Sequence, residues 1–103
     1  MLHPKQRAYL KKKAHHLDPV LHIGKSGLSQ SFLNELDQAL EKHELIKLRL
    51  LDNSPFDFAE QMEDLLRESR SEFVSRVGKT LVLYRKSFSL KPEERLLLPP
   101  VKK

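Results

Sequence analysis

Cysteine is absent from the 103 residues. That excludes disulfides, a thiolate nucleophile and a cysteine-ligated zinc site. No apolar run approaches the ~20 residues that a membrane-spanning helix needs, so no membrane partner is expected. The opening stretch MLHPKQRAYLKKK is basic but has no apolar segment, which argues against a signal peptide. A soluble, cytoplasmic protein is the expectation. Catalytic groupings are missing as well. His3, His15, His16, His22 and His43 are the only histidines, and none stands in H-E-x-x-H or another ligand spacing. Glu60, Glu63 and Asp64 read as the wet side of a helix rather than a carboxylate pair. No enzyme activity, no metal and no cofactor is expected.

Acid is also missing from the first 17 residues, which carry Lys5, Arg7, Lys11, Lys12 and Lys13. Residues 18–75 hold 6 basic against 12 acidic residues, and residues 76–103 hold 8 basic against 2 acidic. The net charge of +5 is therefore the sum of two basic ends and an acidic middle. If the ends meet in space they form one positive surface, the footprint of a polyanion partner. Scattered lysines that merely keep a small domain in solution would not be expected to segregate so cleanly.

With 39% apolar residues the chain suits one small domain with a modest core. A first helix is expected from Pro4, whose fixed φ suits a first turn, to about Leu17. Leu10, Ala14 and Leu17 would face the core, with Lys5, Tyr9, Lys12 and His16 on another side. Asp18-Pro19 would end it. VLHI, residues 20–23, reads as a short strand. Gly24 to Gly27 makes a turn, Ser29 caps a second helix running to about His43, and Leu28 is placed to staple onto Leu33. Phe32, Leu33, Leu36, Ala39 and Leu40 form that helix's apolar face; Glu35, Asp37 and Glu41 would look outward. LIKLRLLD, residues 45–52, sets Ile46, Leu48 and Leu50 against Lys47 and Arg49, a strand with one covered face. Ser54 is expected to cap a third helix, with Pro55 in its first turn and Phe58, Met62, Leu65 and Leu66 in its core stripe. EFVSRV and TLVLYRKS then form a hairpin through Gly78-Lys79. The fold class is α/β in the order α-β-α-β-α-β-β with a four-stranded mixed sheet. The cations of the second strand favour a two-layer sandwich, with one sheet face at least partly uncovered. Residues 1–87 form the domain. Residues 88–103, FSLKPEERLLLPPVKK, rich in proline and leucine, form an irregular tail held at most by Leu96–Leu98.

Gly24-Lys25-Ser26 matches the end of a nucleotide phosphate loop, but that loop needs a glycine where Pro19 stands. The better description is a Gly-Lys-Ser-Gly turn between strand and helix. Such a turn offers close backbone approach, free helix N–H groups, the Lys25 cation and the Ser26 or Ser29 hydroxyl. It can clamp a nucleic-acid backbone; a plain turn is the alternative. The basic helix stripe beside it, with Tyr9 available to stack on a base, and the carboxyl-terminal cations Arg76, Lys79, Arg85 and Lys86 point to the same ligand.

Two stretches, KQRAYLKKKAHHLDPVLHIGKSGLSQSFLNELDQALEKHELIKLRLL and VSRVGKTLVLYRKS, resemble the bacterial YhbY-type proteins, stand-alone versions of the CRM (chloroplast RNA splicing and ribosome maturation) domain. The resemblance covers residues 3–87. It implies a non-enzymatic, monomeric RNA-binding protein whose partner is ribosomal RNA or its precursor, on precursors of the large ribosomal subunit. It also implies a fold similar to the carboxyl-terminal domain of translation initiation factor three. The family's Gly-x-x-Gly loop falls on Gly24, Lys25, Ser26 and Gly27, its basic helix on Lys5, Arg7, Lys11, Lys12 and Lys13, and its GKTLVLYR signature on Gly78 to Arg85. The segment LLDNSPFDFAEQ and the leucine-rich tail depart from the pattern. A protein–protein adaptor docking on ribosomal particles is the rival reading.

Overall fold

Residues 2–99 are described in the computed structural model. Three helices and four strands follow one another as α1 (Pro4–Ala14), β1 (Leu21–Ile23), α2 (Gln30–His43), β2 (Leu45–Leu50), α3 (Phe58–Ser69), β3 (Glu72–Val77) and β4 (Thr80–Tyr84). A short 3₁₀ turn, Pro92–Glu94, follows in the tail. The element order matches the expectation from pattern.

Local chemistry explains the helix starts. Before α1, the His3 side chain accepts from the Lys5 N–H at 3.1 Å, and Gln6 accepts from the His3 N–H at 3.1 Å. This reciprocal cap satisfies two otherwise orphaned donors. Ser29 caps α2 as expected, accepting from the Phe32 N–H at 3.1 Å. For α3 the expectation needs correction. Asp57 is the cap, accepting from Ala59 at 2.8 Å and Glu60 at 3.3 Å, while Ser54 only closes a turn onto the Phe56 N–H. The delay lets Phe56 turn inward, buried and edge-on to Phe58 at 5.3 Å between ring centres. Helix α1 also ends earlier than expected. His15 and His16 form a turn after Ala14, so Leu17 falls off the apolar stripe and stays partly exposed.

The sheet order is β1-β2-β4-β3. β1 runs parallel to β2, as a helical crossover requires; β4 is antiparallel to both β2 and β3. A bulge between Phe73 and Ser75 lies on the edge strand β3. Alternation along the strands makes two cores. Ile23, Ile46, Leu48, Leu81 and Leu83 point to one face and bury Phe32, Leu36, Leu40, Phe56 and Leu65 of the α2–α3 layer. Leu45, Val74, Val82 and Tyr84 point to the other and bury Leu2, Leu10 and Ala14 at α1. The two-layer expectation is therefore corrected: helices lie on both faces. One helix cannot span four strands, so α1 covers only part of its face. The expectation of a partly uncovered sheet holds for the rest.

The tail folds back on the α1 side. Leu96 and Leu98 pack against the second core, and Leu97 points outward. Buried Glu44, at the end of α2, accepts from the Ser87 and Leu96 N–H groups, both at 2.7 Å. Residues 100–103 of the expected tail lie outside the described residues.

Candidate functional site

The Gly24–Gly27 turn sits where β1 ends and α2 begins. The Gly27 N–H donates to the Gly24 carbonyl at 3.0 Å. Gly27 has φ of 59°, and a Cβ there would stand 3.3 Å from Pro55 Cγ. Glycine is thus required at the second position by backbone and by neighbour. Gly24 is different: its φ is not positive, and an added Cβ would make an ordinary 3.6 Å contact with Leu51. The turn rests on the 51–55 connection, and the Leu51 N–H donates to the Ile23 carbonyl at 3.0 Å. Lys25 and Ser26 stay exposed, and with Gly24, Gly27 and Ser29 they line a shallow depression of about 230 Å³. The α2 amino terminus adds its positive dipole end there.

The uncovered part of the sheet adjoins this turn. His22 of β1 is in register with Arg49 of β2, and Arg49 is in register with Thr80 of β4. One row back, Lys47 pairs with Val82, which pairs with Ser75. Partners in register project to the same face, so His22, Lys47 and Arg49 share one open surface. His22 lines both the depression at the glycine turn and a second one formed with Arg49. Lys47 in turn lines a groove with Lys11 of α1 and His15 just after it. A cationic track therefore runs from the carboxyl end of α1 across β2 and β1 to Lys25, with Glu35 lining the depression at the turn and Asp52, paired with Lys79, lining the one beside Arg49.

His15, His22, Lys47 and Arg49 were not singled out as contacts from the sequence. The signal that could have found them was present: a strand alternating Lys47 and Arg49 against leucines, next to a histidine in a strand leading into a glycine turn.

The remaining expected residues are distributed as follows. Lys5, Lys11, Lys12, Lys13 and His16 are exposed on or just after α1. Arg7 is partly buried, its Nε donating to the Phe73 carbonyl at 3.1 Å and tying α1 to β3. Tyr9 is half-buried against the second core with the Lys13 amine 5.6 Å from its ring centre, so its ring is already in use. Lys79, at the hairpin tip on the glycine-turn end of the sheet, pairs with Asp52. Hydrogen bonding and charge from Lys79, with a smaller contribution from Arg49, hold the Asp52 carboxyl below its usual range. Arg76 is in register with Leu81 and thus on the opposite face; its guanidinium lies 3.7 Å from the Phe58 ring centre.

Arg85 and Lys86 follow the far end of β4, at the other end of the sheet from the turn. Arg85 is nearly enclosed. It donates to Asp37 Oδ1 at 2.8 Å, the Asp37 carbonyl at 3.0 Å, the Ser69 carbonyl at 2.9 Å and Glu41 at 3.5 Å. Asp37 and Glu41 consequently do not simply face water. The expected single surface gathers α1, the glycine turn and Lys79, and leaves Arg76, Arg85 and Lys86 apart from them. Among the described residues no cluster of three or more histidine, aspartate or glutamate side chains could hold a metal ion.

This arrangement presents cations and backbone donors that can bind phosphates. The family model described as the CRS1 / YhbY (CRM) domain matches residues 2–85. The chain is 39% identical over 99 residues to the "Probable RNA-binding protein YqeI" of Bacillus subtilis, covering 96% of this chain and 100% of that one. It is 38% identical over 98 residues to the "RNA-binding protein" of Haemophilus influenzae, covering 95% of each. A protein from Staphylococcus aureus solved in solution matches with a TM-score of 0.76 at 39% identity, covering 96% of this chain and 100% of that chain.

Proposed function

Since the chain belongs to the CRS1 / YhbY (CRM) domain family, we propose that it is a non-enzymatic RNA-binding protein acting on ribosomal RNA or its precursor. The observation that carries this reading is the cationic track. Lys11 of α1, His15 just after it, Lys47 and Arg49 of β2, His22 of β1 and Lys25 of the turn adjoin one another along it. Phosphates neutralised by such side chains release bound counterions, which supplies most of the affinity for a polyanion. The glycine turn adds backbone N–H donors at a helix amino terminus. Contacts of this kind fix register on a folded RNA more than they read its bases.

The named relatives support the RNA part of the reading. The finer part of the same proposal is a cytoplasmic monomer that works on precursors of the large ribosomal subunit and has a fold similar to the carboxyl-terminal domain of translation initiation factor three. It rests on the motif resemblance. Cross-linking the protein in cells and sequencing the attached RNA tests it: large-subunit ribosomal sequences should dominate. Cross-links spread over transcripts in proportion to abundance would refute that partner. If the protein instead docks through protein contacts, RNase treatment of a ribosomal fraction would leave it bound.

A further inference from the structure

The groove between α1 and the open sheet has a feature that phosphate contacts do not need. Its lining is partly apolar: Ala14 and Val82 are buried beneath it, and the exposed Val77 stands at its edge. Lys11, His15 and Lys47 stand around it, and Ser75 and Thr80 bring hydroxyls to it. Among the described residues no acidic side chain lines it. Its volume is about 320 Å³, at the small end of the roughly 300–1,000 Å³ usual for small-ligand sites. A paired A-form helix presents phosphates and a shallow groove to a protein. A base can enter a concavity only when it is unpaired and splayed out.

We infer that this groove receives one unpaired nucleobase of the bound RNA. Lys11 and Lys47 would hold the flanking phosphates, as their charge complements them. The base lies against Val77, Val82 and Ala14, with the His15 ring at the rim and the Ser75 and Thr80 hydroxyls available to its polar edge. The exposed groove thereby gains an occupant that suits both its apolar lining and its cationic rim. Tyr9, the stacking residue expected from the sequence, is packed against the second core and leaves this role to the groove. The inference rests on the RNA-binding reading and adds that the site prefers RNA with an interrupted helix.

The test uses three RNAs of one sequence and length class: a fully paired hairpin, the same hairpin with one bulged nucleotide, and that bulge made abasic. The wild-type chain is expected to bind the bulged RNA about tenfold more tightly than the other two, within the range for one buried base. Ser75→Leu fills the groove with a side chain that has no stacking face, while keeping every cation. It should erase the preference and leave affinity for the paired hairpin within about twofold. Thr80→Leu gives a second filling variant should the first fail to melt cooperatively. Equal wild-type binding of bulged and abasic RNA overturns the groove assignment while leaving the RNA-binding reading intact. A preference that survives both filled variants does the same. Failure to bind any of the three overturns the RNA-binding reading and the groove with it.

Discussion

The two glycines of the turn make a sharp test because they stand in one motif and differ in physical situation. Gly27→Ala places a Cβ on a residue with φ of 59° and 3.3 Å from Pro55 Cγ. The left-handed backbone costs an L-residue ~1–2 kcal/mol, and Pro55 must shift by a few tenths of an ångström. For a domain of this size 1 kcal/mol moves the melting temperature by roughly 4–8 °C. Gly27→Ala should therefore melt about 4–16 °C below the wild type, and the turn should lose part of its grip on RNA. Gly24→Ala meets only Leu51 at 3.6 Å without a positive φ. Its reduced freedom in the unfolded chain is worth ~0.4–1 kcal/mol in favour of folding. Its melting temperature should stay level or rise by up to about 8 °C. Calorimetry on the three proteins decides the matter. A Gly27→Ala variant as stable as the wild type, or a Gly24→Ala variant that falls as far, would refute the assignment of different roles.

Two further outcomes concern the clamp on the tail. Glu44→Ala strands the buried Ser87 N–H and the Leu96 N–H, a loss of about 2–6 kcal/mol at ~1–3 kcal/mol per orphaned donor; Glu44→Gln should lose less, and equal melting of the two would contradict the clamp. The Glu41 carboxyl is lowered to about 2, by the Ser89 hydroxyl first, then Ser87, with Arg85 adding charge. A depressed folded-state pKa means this anchor contributes fully above the ordinary value of 4.5 and is lost as pH falls to about 2. The Ser89 amide resonance should follow that titration in the wild type and not in Glu41→Gln; a midpoint at 4.5 would show that the anchor does not form.

Legibility in the sequence followed how local the determining interaction was. Ser29, the apolar face of α2, the alternation in β2 and the Gly78-Lys79 hairpin all act within a few residues, and pattern located them. The face of the sheet that α1 meets depends on Leu45, Val74, Val82 and Tyr84 together, from three strands distant from α1 along the chain. Periodicity shows that Leu10 and Ala14 share a side of a helix, not which surface receives them. Asp57 displaced Ser54 as a cap because burying Phe56 mattered more than starting the helix at the first capping residue. Arg85 looked like another surface cation because its partners Asp37 and Glu41 lie more than 40 residues away along the chain. The converse holds for Lys47 and Arg49: their alternation marked an uncovered strand face, but register with His22 was needed to connect it to the glycine turn.

The central claim is that the open sheet face between α1 and the glycine turn is where RNA phosphates are held. The most direct measurement is the salt dependence of affinity for large-subunit ribosomal RNA fragments, compared among the wild type, Lys47→Ala/Arg49→Ala and Lys86→Ala. Each lost phosphate contact lowers the slope of log K against log salt by about 1. The double variant should lose about 2 from its slope, and Lys86→Ala, at the far end of the sheet, should lose nothing. A double variant with the wild-type slope, or a Lys86→Ala variant that falls as far, would place the RNA elsewhere on the molecule.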